Sequence, residues 1–77
     1  MWEKRRVGDT NIYHYVINTR SVGTVMPTFF EDGSKKWECT FSDHLPFIRD
    51  SLKIGKKDIE FLWEQLNSNN LATIDTK

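Results

Sequence analysis

The stretch EDGSKKWECTF, residues 31–41, carries the clearest secondary-structure signal in the sequence. Its Asp-Gly pair supplies the positive φ that a tight hairpin turn needs. Over residues 36–41, apolar and polar residues alternate, so Trp37, Cys39 and Phe41 would share one face of a strand. The stretch therefore predicts a turn that leads into a half-buried strand.

Two further strand-like runs precede this hairpin. Residues 11–17 (NIYHYVI) are mostly β-branched and aromatic, and residues 22–30 continue in the same way, with Pro27 suiting an edge strand or a bulge. Turn-forming residues over 18–21 (NTRS) separate the two runs. The first half of the chain therefore predicts a three-stranded antiparallel β-meander within residues 10–42.

The sequence after this meander predicts a short helix that ends near Lys53. Ser42 and Asp43 can cap it, and Pro46 suits a first helical turn. Gly55 is expected to break the helix, because glycine is unfavourable in a helix interior. The apolar residues at helical spacing are Leu45, Ile48 and Leu52.

Residues 56–66 predict a longer amphipathic helix, which the asparagine-rich residues 67–70 end. Its apolar residues, spaced i, i+3, i+4 and i+7, are Ile59, Leu62, Trp63 and Leu66. Residues 68–77 predict a loose tail. The expected fold is α+β: a three-stranded antiparallel β-meander followed by one short and one longer amphipathic helix packed on the sheet. Both helices lie within residues 44–67 of a single domain, 1–77.

Length and composition favour a small binding protein that acts inside the cell. The 77 residues allow one domain, and the 38% hydrophobic content fits a folded globule. A lone cysteine, Cys39, cannot form an internal disulfide. There is neither an apolar run of transmembrane length nor the hydrophobic core of a signal peptide. We therefore expect a cytoplasmic location and no membrane partner.

The sequence carries no signature of a reaction. The candidate metal ligands Cys39, His14 and His44 fall on three separate elements, so neither a metal nor a cofactor is expected. Cys39 alternates with two aromatic residues, which predicts an inert core thiol. Turn chemistry and helix-terminal charge account for the acidic residues. We therefore predict that the protein is not an enzyme.

The abundance of aromatic residues, 13% of the chain, predicts a binding surface. The candidate binding residues are Trp2, Arg5, Arg6, Tyr13, Tyr15 and Arg20. Tyr13 and Tyr15 share one face of their strand, but the pattern leaves open which sheet face is buried.

The first functional hypothesis is a protein–protein interaction module. Such a module could be a phage-type inhibitor or an adaptor that acts on a host protein. A second copy of the chain is another candidate partner. The alternative is a nucleic-acid-binding accessory protein that uses Tyr13, Tyr15 and the nearby arginines. A formal net charge of zero counts against the alternative.

Overall fold

The computed structural model describes residues 1–75, and from residue 68 onward it describes the backbone alone. Within residues 1–75 the elements are β1 (Trp2–Val7), β2 (Thr10–Ile17), β3 (Arg20–Phe29), β4 (Lys35–Phe41), β5 (Phe47–Arg49) and α1 (Leu52–Asp75). Each strand pairs antiparallel with the next in sequence, and α1 packs on one face of the sheet. The described chain is thus a five-stranded meander with one helix, and the predicted three-stranded meander followed by two helices is wrong.

The first strand, β1, was missed because four of its six residues are charged. Edge strands have a free side, and charges there are tolerated because they hinder pairing with other chains. Gly8, with φ at 61°, and Asp9 form the two-residue connection between Val7 and Thr10. A Gly-Asp pair between two strand-like runs is the sequence signal that indicates this hairpin.

The predicted short helix is wrong because residues 47–49 form β5 instead. Phe47 pairs with Cys39 on β4 and packs against the core, whereas Ile48 points to the other face. The helix begins later, where the Ser51 hydroxyl accepts a hydrogen bond from the Ile54 amide at 3.2 Å. Ser51, and not the predicted pair Ser42 and Asp43, therefore caps the helix.

Gly55 does not break the helix, since α1 passes through it. A Cβ added at Gly55 would lie 2.9 Å from Cys39 Sγ and 3.3 Å from a methyl carbon of Val25. Gly23 leaves room on the sheet for a side chain of the helix, because a Cβ at this residue would lie 2.8 Å from Ile59 Cγ2. Two glycines thus bring the helix and the sheet into close contact.

The core lies between the sheet and α1 and consists of Val25, Cys39, Phe41 and Ile59, each at most 2% exposed. Partly buried residues surround this cluster, among them Trp2, Tyr13, Tyr15, Trp37, Leu62 and Trp63. The predicted alternation along β4 and the predicted helix face are confirmed, except that Leu66 is 42% exposed. The opposite sheet face carries Ile12, Met26 and Ile48, and no described element covers it.

The helix continues past its predicted end at residue 67 to Asp75. At 24 residues it is about 36 Å long, more than the strands beneath it need. It therefore extends beyond the end of the sheet where β2 turns into β3. Of the tail predicted over 68–77, only the backbone to Asp75 is described, and residues 76–77 lie outside the described part.

Candidate functional site: a groove between the β2–β3 turn and α1

A groove of about 990 Å³ lies between the end of the β2–β3 hairpin and α1. Its apolar lining comes from four elements: Ile17 of β2, Val22 of β3, Phe41 of β4, and Trp63 and Leu66 of α1. Trp63 and Leu66 lie three residues apart and so occupy neighbouring positions on the helix surface. The groove is therefore built where the helix leaves the sheet.

An irregularity in strand pairing places Val22 in this lining. Tyr15 of β2 pairs with Gly23, but the next residue, Val16, pairs with Ser21. Val22 therefore has no partner residue on β2. This is a β-bulge, which re-aims the extra side chain. Val22 consequently packs against the core cluster, and its carbonyl accepts a hydrogen bond from the Ser42 amide at 3.1 Å.

The polar part of the groove carries hydroxyl groups and one formal charge. Thr19, Ser21 and Ser42 are among the lining residues that bear a hydroxyl, and Arg20 is the only charged residue within the described lining. Arg20 is exposed, so its guanidinium is accessible to a ligand. The groove therefore combines an apolar wall with hydrogen-bonding groups and a cation.

The backbone around the groove is strained. In the described part of the chain, the non-glycine residues with positive φ are Asn18 (53°), Thr19 (66°) and Ser42 (43°). All of them line this groove, although Ser42 comes from a different loop. A left-handed conformation is a clear outlier for a β-branched residue such as Thr19. Strain of this kind is concentrated at functional sites, which favours the groove as the site of function.

No known protein family matches the chain, and neither a curated protein nor a solved structure shows similarity to it. Among the described residues, no helix is both long and apolar enough to cross a bilayer.

The predicted aromatic binding residues lie between the sheet and the helix. Trp2 and Tyr15 have ring centroids 4.9 Å apart, and the Trp2 indole N–H donates to a Glu60 carboxylate oxygen at 2.8 Å. Burial, followed by the nearby charges of Glu60 and Glu64, raises the pKa of Tyr15. Tyr13 is on the same side and also packs against the core cluster. These rings thus help to hold α1 on the sheet.

The predicted arginines lie at two different places. Arg5 and Arg6 are exposed on the edge strand β1, where they pair with Glu3 and Asp9. Arg20 lies at the other end of the sheet and lines the groove. The structure therefore does not bring the six predicted residues together, and only Arg20 belongs to the groove.

The cysteine and the histidines lie apart in the structure. Cys39 is fully buried beneath α1, and burial raises the pKa of its thiol to about 11. His14 is on the opposite sheet face, 3.2 Å from the Ser21 hydroxyl, and His44 lies against Phe41 with ring centroids 5.5 Å apart. Within the described residues, no three metal-binding side chains converge on one point.

The strain at Thr19 leads to a testable prediction. Asn18 and Thr19 form a two-residue turn with positive φ at both positions, where glycine is usual at the second. We expect Thr19→Gly to stabilise the domain by about 0.5–1 kcal/mol, because relief of roughly 1–2 kcal/mol of strain exceeds the entropic cost of glycine. Thermal unfolding should show a melting temperature several degrees higher.

Thr19→Ala is the matched control, since it shortens the side chain but keeps the Cβ that causes the strain. It should give no comparable gain. Equal stabilisation by alanine and glycine would show that the backbone conformation is not the cause.

Proposed function

We propose that this protein is a protein–protein interaction module that binds a segment of its partner in the groove between the β2–β3 turn and α1. The observation that carries the proposal is the convergence of Asn18, Thr19 and Ser42 on that groove. Strained residues persist only when the surrounding structure over-determines them, and they are concentrated at active sites, ligand-binding sites and switch regions, which favours a binding role for this groove. The groove accordingly serves recognition, and no catalytic step is assigned to it.

The composition of the groove suits a polypeptide ligand. Trp63 supplies a large amphipathic surface of the kind found at the centre of protein interfaces, and Leu66 leaves 42% of its surface open to a partner. The hydroxyl groups on the rim can donate hydrogen bonds to main-chain carbonyl groups or accept them from amides. A volume of about 990 Å³ is at the upper end of the range for small-molecule pockets, which favours an extended ligand.

In a cell, such a module would act by occupying a surface of another protein. We place it in the cytoplasm as an adaptor or as a phage-type inhibitor of a host protein. Self-association through the same groove is a specific case of this proposal. Light scattering over a range of concentrations would detect it as a rise in molecular mass.

Binding of nucleic acid is the second candidate, and one surface favours it. The Lys35 ammonium lies 4.8 Å above the Trp37 ring, and the Lys56 ammonium lies 4.6 Å above the Tyr13 ring. The two rings are 6.2 Å apart, an arrangement of cations and aromatics that can contact phosphates and bases. However, each lysine already occupies one face of its ring, where a base would otherwise stack, so we favour the protein partner.

The test is affinity capture with two matched variants of α1. Leu66→Ser removes an apolar side chain of the groove, whereas Phe61→Ser removes an apolar side chain that is 57% exposed outside the groove. The wild type and Phe61→Ser should retain the same protein partner, and Leu66→Ser should bind it at least about fivefold more weakly, because truncating an energetically important contact costs more than about 1 kcal/mol.

Each result of this capture decides between the alternatives. Equal capture by all three proteins would contradict the groove as the binding site. Loss with Phe61→Ser alone would move the site to the outer face of α1. Capture that disappears after nuclease treatment or at raised salt would support the nucleic-acid alternative.

A further inference from the structure

Arg20 differs from the other arginines in its surroundings. Arg5 pairs with Glu3, Arg6 pairs with Asp9, and Arg49 pairs through its Nε with Asp58. Among the side chains that the structure describes, residues 1–67, Arg20 has neither an ion pair nor a side-chain hydrogen bond. Within residues 1–67, no side chain therefore compensates the positive charge that Arg20 presents at the groove.

We propose that the groove recognises a peptide segment with a single carboxylate next to a large apolar side chain. This inference rests on the proposed function and adds the chemistry of the ligand. The apolar side chain would pack between Ile17 and the pair formed by Trp63 and Leu66. The carboxylate would accept two parallel hydrogen bonds from the Arg20 guanidinium, a geometry that arginine favours.

The surrounding charges limit the ligand to one carboxylate. Glu60 accepts a hydrogen bond from the Trp2 indole, and Glu64 lies one turn further along α1, directly after the groove residue Trp63, so the flank of the helix next to the groove is acidic. A run of acidic residues would be repelled there, because like charges placed together at an interface are unfavourable. One carboxylate placed at Arg20 avoids that repulsion.

Selection from a displayed library of random twelve-residue peptides tests this inference on the intact protein. On the wild type, we expect enrichment of peptides with one Asp or Glu beside an aromatic or large aliphatic residue. On Arg20→Glu, the acidic preference should change to Lys or Arg while the apolar preference remains. Synthetic peptides from the wild-type selection should bind Arg20→Glu about tenfold more weakly or worse.

Arg20→Gln tests the carboxylate on the ligand, whereas Leu66→Ser tests whether the groove binds a peptide at all. Arg20→Gln keeps a long polar side chain without charge, so the acidic preference should disappear and the apolar preference should remain. Circular dichroism should show that each variant is folded, since Arg20 and Leu66 are both exposed.

Suppose that the wild type enriches peptides without an acidic preference and that Leu66→Ser does not enrich them. This result would overturn the inference that the ligand carries a carboxylate, but the groove would remain a peptide-binding site. Enrichment of acidic runs would overturn the limit to one carboxylate. Failure to enrich any peptide on the wild type relative to Leu66→Ser would overturn the carboxylate inference and the groove together.

Discussion

Replacing Ile59 with alanine should lower the free energy of unfolding by about 2–5 kcal/mol. Ile59 is completely buried, and its Cγ2 atom fills the space that Gly23 leaves on the sheet. Small domains have only about 5–15 kcal/mol of stability in total, so this loss is a large fraction. Urea denaturation followed by tryptophan fluorescence would measure it, since Trp2 and Trp63 lie at the same helix–sheet contact.

The matched control is Gly23→Ala, made alone and together with Ile59→Ala. Alone, the new methyl group should clash with Ile59 and destabilise the domain. In the double variant, the methyl group at residue 23 should occupy part of the cavity that Ile59→Ala leaves. The double variant should therefore lose less unfolding free energy than the two single variants lose together. Additivity within about 0.5 kcal/mol would show that the two residues do not share a contact.

Replacing Gly55 with alanine should destabilise the domain by about 1–3 kcal/mol, the usual cost of overpacking a core. Helix propensity alone predicts the opposite, a gain of up to about 1 kcal/mol. The contact decides the sign, because the added Cβ would lie 2.9 Å from Cys39 Sγ, and Cys39 is fully buried. Urea denaturation of the variant gives the answer directly.

Cys39→Ala provides the control for this contact. Removing the sulfur makes room for a methyl group at residue 55, so the double variant should recover part of the loss caused by Gly55→Ala. A Gly55→Ala variant that is more stable than the wild type would mean that α1 does not approach β4 this closely.

Local periodicity correctly predicted the elements whose side chains divide clearly between core and solvent. β4 alternates strictly, and the core-facing residues of α1 recur at helical spacing, so both elements were recognisable in isolation. β1 and β5 lack such patterns, since β1 is a charged edge strand and β5 has only three residues. Their pairing depends on their neighbours and not on their own composition.

Gly55 was misinterpreted for a different reason. A glycine that ends a helix and a glycine that allows a helix to approach a sheet look identical in sequence. Only the position of Cys39 across the contact distinguishes them. The sequence likewise placed Tyr13 and Tyr15 on one strand face but could not show that α1 covers that face.

The groove was only partly accessible to sequence reasoning. Arg20 was predicted as a binding residue, and residues 18–21 were predicted as a turn. Thr19, Ser42 and Leu66 were not predicted as site residues, because they come from three separate parts of the chain and meet only in the folded structure. The Asn18-Thr19 pair was the one available signal, since a two-residue turn with threonine in the usual glycine position is strained.

The hydrogen bond between Trp2 and Glu60 joins residues 58 positions apart, and all the strands precede the helix that covers them. During synthesis, the apolar side of the sheet consequently has no cover until residues 52–63 have left the ribosome. The meander can form early from neighbouring strands, whereas its closure by the helix requires contacts of high sequence separation. The nascent chain therefore passes through a stage with an open apolar sheet, which is the kind of exposed surface that chaperones bind.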